Sequence, residues 1–114
     1  MKEVILDTNF LVEIIKNKID LKQELTRVID ETYQVFILDK TIEEIKKLKN
    51  IYKIALELIK KIRIIETDKS YVDDLLVEFS KKGYIIATQD KLLKKRLKRP
   101  IIIMKQKKYL ELLN

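Results

Sequence analysis

Val4-Ile5-Leu6-Asp7-Thr8-Asn9-Phe10 runs three apolar residues directly into an acid, then two small polar residues, before the apolar pattern resumes. The apolar run reads as a buried strand. A carboxylate at its edge costs several kcal/mol unless a hydrogen bond or a cation compensates. Asp7 could cap the helix that follows, but Asn9 could do so farther from the core. The position therefore favours a functional role for Asp7.

Outward from this stretch, short apolar runs alternate with segments of helical period. Glu3–Leu6, Val35–Leu38, Ile62–Ile65, Tyr84–Ala87 and Ile101–Met104 read as buried strands. Helices are expected over Phe10–Lys16, Leu21–Glu31, Ile42–Lys61 (two helices breaking near Asn50), Val72–Lys81 and Lys91–Leu97, with one more over the tail from Lys105 to Leu113. Gly83 stands where a helix ends before the fourth strand, and Pro100 where the next helix must stop. Continuous apolar strands separated by such helices indicate an α/β fold whose parallel sheet is covered on both faces. With 114 residues and 46% hydrophobic content, the chain suits a single domain over 1–114.

Composition removes several chemistries. Cysteine and histidine are absent, which leaves no disulfide framework, no zinc site of thiolates and imidazoles and no Ser-His or Cys-His catalysis. The only serines are Ser70 and Ser80. No apolar run approaches the ~20 residues that span a bilayer, and MKEVILD does not read as a signal peptide. A cytoplasmic protein without a membrane partner is expected. The net charge of +7 and pI near 9.5 favour a polyanionic partner, although a lysine-rich proteome would give the same balance.

Open parallel sheets collect ligands at the carboxyl ends of their strands. There the sequence places Asp7 after the first strand; Asp39, Thr41, Glu43 and Glu44 after the second; Glu66, Asp68, Asp73 and Asp74 after the third; and Thr88 and Asp90 after the fourth. Each acid has an ordinary explanation, because helix N-termini favour negative side chains. Thr41-Ile42-Glu43-Glu44 and Ser70-Tyr71-Val72-Asp73 both fit capping boxes, and Thr88 could cap the helix that holds Asp90. Helical phase then separates the pairs. With Val72, Leu75, Leu76 and Phe79 inward, Asp73 lies nearer the core stripe than Asp74; Ile42, Ile45, Leu48 and Lys49 place Glu44 inward of Glu43, less cleanly. If Asp7, Glu44, Asp73 and Asp90 meet, two carboxylates ~4 Å apart repel by about 4 kcal/mol at an effective dielectric of 20. A hard divalent cation, Mg²⁺ or Mn²⁺, resolves that conflict.

VILDTNFLV, TIEEIKKLK, YVDDLLVEF and YIIATQDKLLKKRLKRPIII resemble the successive acidic motifs of PIN domains, in order and across nearly the whole chain. The flavour resembles the archaeal and eukaryotic PIN nucleases of ribosomal RNA processing, with VapC-type toxins as less close relatives. The resemblance implies a three-layer α/β/α sandwich with a central parallel sheet of four to five strands. It also implies a Mg²⁺- or Mn²⁺-dependent endoribonuclease acting in RNA processing or as a toxin. Carried over, the metal-binding and catalytic acids are Asp7, Glu44, Asp73 and Asp90, with Thr8, Asn9 and Thr88 as supporting polar groups. Leu92 stands where some relatives carry another acid. A homodimer, an antitoxin or a ribosome-assembly partner would be in keeping with the family.

Lys91, Lys94, Lys95, Arg96, Lys98 and Arg99 follow Asp90 and would hold an RNA strand, single-stranded or structured. They also form the polar face that a helix packing Leu92, Leu93 and Leu97 inward must have. Tyr33, Tyr52, Tyr71, Tyr84 and Tyr109 lack the close spacing of a base-stacking platform and read as packing residues. Two other readings stand beside the nuclease. A PIN-like module could bind RNA or protein without cutting. A phosphoacceptor receiver would use Asp7, Asp68, Thr88 and Lys105, but leaves Glu44, Asp73 and Asp90 unexplained.

Overall fold

The structure is a computed structural model that describes residues 1–68 and 71–114. In chain order the elements are β1 (Lys2–Leu6), α1 (Thr8–Lys16), α2 (Leu21–Val28), β2 (Tyr33–Leu38), α3 (Asp39–Lys46), α4 (Lys49–Ile59), β3 (Arg63–Ile65), α5 (Val72–Lys81), β4 (Ile85–Ala87), α6 (Lys91–Arg96), β5 (Ile101–Lys105) and β6 (Tyr109–Leu113). Their strands form one sheet in the order β3-β2-β1-β4-β5-β6, parallel except for the antiparallel β5–β6 pair. All five expected strands are present.

β1 is central because its alternate side chains are buried on both faces. Val4 and Leu6 face one core with Phe10, Leu11 and Ile14 of α1, Leu25 of α2, Ile45 of α3 and Ala55 of α4. Ile5 faces the other, with Leu75 and Leu76 of α5 and Leu93 of α6. Helices thus cover both faces of the sheet, as its uninterrupted apolar strands require. Among the described residues, no helix is long and apolar enough to cross a membrane.

Gly83 performs the expected stop. It adopts φ +105°, its N–H donates to Ser80 O at 3.1 Å, and the Tyr84 N–H donates to Phe79 O at 3.1 Å. These are the paired bonds of a Schellman ending, and the Tyr84 ring meets Phe79 edge-on at 5.1 Å, as such endings favour.

Several local expectations are corrected. The tail forms β6 rather than a helix: Gln106 and Lys107 adopt φ 53° and 56°, and the Lys108 N–H donates to Lys105 O at 3.0 Å. Two consecutive left-handed residues make the hairpin turn that matches strand twist. Glu24 of α2 then accepts from the Leu110 N–H at 2.8 Å, tying β6 to the helical layer. The Thr41 capping box does not form, since α3 begins at Asp39 and places Thr41 inside the helix, buried. Leu48 is 40% exposed and starts α4 instead of packing inward. Ser70, the first position of the other expected capping box, lies outside the described residues; Tyr71 occupies the N-cap position of α5 without a side-chain cap bond.

Strand order removes the receiver alternative. That architecture sets its first and third strands side by side in the order 2-1-3-4-5, so that the acids following them meet. Here β2 separates β1 from β3, so Asp68 follows an edge strand about 10 Å of sheet away from β1.

The hairpin turn supplies a stability prediction. Left-handed backbone costs an ordinary residue about 1–2 kcal/mol, whereas Asn and Gly accept it, Gly at some entropic cost in the unfolded chain. Gln106→Asn combined with Lys107→Gly is expected to stabilise the chain by roughly 1 kcal/mol in urea unfolding. Loss of stability would contradict this turn geometry.

Candidate active site

The chain leaves β1 to build β2 and β3 on one side of it, then returns to add β4 and β5 on the other. The crevice beyond the ends of β1 and β4 is therefore the topological switch point, where open sheets bind ligands. Asp7 ends β1 there, and Thr88, Gln89 and Asp90 follow β4. The Asp7 N–H donates to Ala87 O at 2.9 Å, carrying the sheet ladder up to the site.

Asp7 is half-buried and is also the N-cap of α1. Its Oδ1 accepts from the Thr8 N–H at 2.8 Å and its Oδ2 from the Thr88 hydroxyl at 2.8 Å. Thr88 is fully buried and also accepts from the Asp90 N–H at 3.1 Å. One hydroxyl thus sets the spacing of two acids. Thr88 does not cap α6; Asp90 does, with Oδ1 accepting from the Leu92 and Leu93 N–H groups at 2.9 and 3.0 Å. Gln89 anchors the same loop through both ends of its amide: Nε2 donates to Met104 O at 3.1 Å, and Oε1 accepts from the Met104 N–H at 2.6 Å. Sequence reasoning did not single out Gln89. Its only local signal is its place inside Ala87-Thr88-Gln89-Asp90.

The other acids approach from different helices. The Thr8 hydroxyl, buried in the first turn of α1, is shared between Thr41 Oγ1 at 2.9 Å and Glu44 Oε1 at 3.3 Å. Glu44 thus touches Thr8 and Glu43 does not, but both are exposed, so the expected inward placement of Glu44 is not met. Asp73 lies in the first turn of α5, near enough for its charge to act on Asp7. Asp74, one residue on, pairs instead with Arg96 at 2.6 Å. Asn9 is exposed. Leu92 is 75% exposed rather than packed inward, whereas Leu93 and Leu97 are buried. Of the basic series, Lys91, Lys95, Arg96, Lys98 and Arg99 are exposed and Lys94 half-buried. Lys98 is also tied through its backbone to the buried Ser80, whose Oγ accepts from the Lys98 N–H at 2.7 Å.

Burial is the largest influence on Asp7 and pushes its carboxyl above the ordinary range. The Thr88 and Thr8 hydrogen bonds pull it down; the charges of Asp73 and Asp90 push it up again. Among the described residues, no cationic side chain is among the groups acting on it. Asp39, after the neighbouring β2, shows the opposite balance: Thr67 bonds it through side chain and backbone, at 2.6 and 3.0 Å, and holds its carboxyl below the usual range. Hydrogen bonds outweigh burial at Asp39, whereas burial outweighs them at Asp7. Among the described residues, no three acids stand close enough to grip an ion as they lie. The donor set nevertheless suits a hard cation, since each Asp7 oxygen retains lone pairs beyond its single hydrogen bond.

A profile of the family described as PIN like domain matches residues 4–107, and the chain belongs to that family. Ribonuclease VapC4 of Methanocaldococcus jannaschii is 30% identical, the match covering 98% of this chain and 97% of that protein. The human rRNA-processing protein FCF1 homolog is 34% identical over 93% of this chain, which spans only 59% of that longer protein. Among solved structures, the PIN domain endonuclease Utp24 superposes with a TM-score of 0.80 at 29% identity, covering 96% of this chain and 90% of that one.

The raised Asp7 carboxyl has a defined consequence for stability. The folded chain holds this proton more tightly than the unfolded chain, so stability falls as pH rises from the ordinary carboxylate range through the raised folded value, and the cost persists above it. Asp7→Asn removes the charge. In chelator near pH 7 the variant is expected to melt a few degrees above the native chain, with the gap closing below about pH 4. A lower melting temperature for the variant near pH 7 would refute the balance described for Asp7.

Proposed function

We propose that the chain is a metal-dependent endoribonuclease that hydrolyses RNA phosphodiester bonds at the β1/β4 crevice. The observation that carries this reading is Asp7: a part-buried acid at the β1/β4 switch point, bonded to Thr88 and reached by the charges of Asp73 and Asp90. Such a group suits a bound Mg²⁺ or Mn²⁺. The names of two relatives, a ribonuclease and an rRNA-processing protein, support RNA as substrate.

Asp7, Asp73 and Asp90 would hold the ion, with Glu44 joining them from α3. When bound, a divalent cation supplies a more acidic water and neutralises charge developing on the phosphate. The chain's own groups supply position. Thr88 fixes Asp7 Oδ2 and thereby orients the carboxylate, while capping α6 occupies only Oδ1 of Asp90. Thr8 steadies Glu44 through its hydroxyl, and Asn9, exposed at the start of α1, is free to meet a phosphate oxygen or a water. Lys91, Lys94, Lys95, Arg96 and Lys98 would draw the RNA backbone towards the acids by non-specific attraction that weakens with salt.

The test is RNA cleavage with Mn²⁺, with Mg²⁺ and with chelator, comparing the native chain with Asp7→Asn and Asp73→Asn. Cleavage by the native chain with either ion, lost in chelator and reduced at least about a hundredfold in each variant, is expected. RNA bound but left uncut under every condition would favour the non-catalytic module. Full activity in Asp7→Asn would place the chemistry elsewhere.

A second variant separates positioning from ligation. Thr88→Val keeps the buried shape but removes the donor to Asp7 Oδ2. It is expected to lower kcat by roughly tenfold or more and to weaken Mn²⁺ binding measured by calorimetry, as outer-shell changes do. Unchanged Mn²⁺ affinity would show that Asp7 does not need this tether.

A further inference from the structure

Tyr71 contradicts the packing role that its scattered spacing suggested. Its ring is 82% exposed. It occupies the N-cap of α5 and makes no side-chain cap bond, at a position where a short polar residue would satisfy a first-turn amide. The ring therefore serves neither the core nor the helix end. Tyr84, by contrast, is packed edge-on between Phe36 and Phe79 at 5.9 and 5.1 Å.

Tyr71 lines a hollow of about 510 Å³ with Val72, Asp73, Asp74 and Arg96. Asp73 is the residue whose charge reaches Asp7, so the hollow opens beside the candidate active site. Arg96, exposed, also lines it and pairs through Nη2 with Asp74 Oδ1 at 2.6 Å. A guanidinium carries five donors in a planar fork, which leaves most of this one available to a phosphate. Leu92, 75% exposed, lies one turn earlier on the same face of α6, nearer Asp90. An exposed aromatic face, a partly committed arginine and an apolar neighbour form a combination that can grip a flexible nucleic-acid strand by stacking and charge.

We propose that Tyr71 is a stacking platform for one base of single-stranded RNA, with Arg96 taking the adjoining phosphate, so that the strand is seated against Asp73 and Asp7. This inference rests on the ribonuclease reading and names the part of the substrate which that site reads. Because every base has a π-face, the platform confers affinity and register with little sequence preference.

The test is binding of a short labelled oligoadenylate in EDTA, where cleavage cannot intervene, by the native chain, Tyr71→Ala and Tyr71→Phe. Melting curves establish that both variants fold. Tyr71→Ala is expected to bind roughly 5- to 150-fold more weakly, and Tyr71→Phe as the native chain does. A strand of the same length lacking bases should bind all three proteins alike. RNA should also quench tyrosine emission in the native chain, and that quenching should be largely lost in Tyr71→Phe although affinity is kept. Binding by Tyr71→Ala within about twofold of native, or an equal loss on the strand without bases, overturns the inference. If the native chain cleaves RNA with Mn²⁺ and Tyr71→Ala does so with unchanged KM, the inference falls and the nuclease reading stands. If the native chain neither binds nor cuts RNA, both fall.

Discussion

The hydrogen bond from the Thr88 hydroxyl to Asp7 Oδ2, 2.8 Å long, joins the ends of the two strands between which the sheet changes direction. Neighbouring strands lie about 4.8 Å apart, so one short side chain can bridge their ends. Thr88 is fully buried, and its oxygen also receives the Asp90 N–H. The same atom therefore sets Asp7, the turn after β4 and the start of α6. β1 and β4 have uninterrupted apolar ends at Leu6 and Ala87, and the polar groups begin where the sheet stops. Thr8 does on the α3 side what Thr88 does on the β4 side, linking the first turn of α1 to Thr41 and Glu44.

Asp7 and Asp39 show how similar local sequence produces opposite electrostatics. Both follow apolar strands of one sheet and both bond the next backbone N–H. Asp39 gains two further donors from Thr67 and is held ionised. Asp7 gains one from Thr88, lies deeper and faces two other acids, and burial outweighs its hydrogen bonds. The fold thus tolerates a group that opposes its own stability at the place where a ligand would relieve it, which is the pattern expected of functional sites.

The charge distribution has two scales. Over the whole chain the balance is +7, a field that attracts polyanions. At the crevice the local charge is acidic, since the charges of Asp73 and Asp90 both act on Asp7, and the lysines of α6 begin directly beyond Asp90. A polyanion approaching such a surface is drawn by the wider field and meets its local opposition only at the acids. A cation held there would remove that opposition.

Much of the architecture was legible in the residues alone. Five apolar runs became five strands, Val72–Lys81 became α5 with the same limits, and Gly83 ended it, because burial on both faces and positive φ each leave a local trace in residue type. Asp7 was conspicuous for the same reason: an acid after a buried strand breaks the pattern. β6 escaped, since its turn is built from Gln106 and Lys107 rather than the Asn-Gly that announces such a hairpin, and its strand is held by α2 from far away in the chain. The roles of Thr41 and Gln89, the outward turn of Leu92 and the bare ring of Tyr71 escaped as well. Each depends on which element packs alongside, and no local period carries that. The sequence by itself determined the α/β class, the order of strands and helices as far as β5 and which acids stand at strand ends, because hydrophobic periodicity and turn chemistry are local. Only the tertiary structure decided that β4 rather than β3 lies beside β1, and so which acids share the crevice: strand order is a choice among nonlocal pairings whose backbone hydrogen bonds are alike.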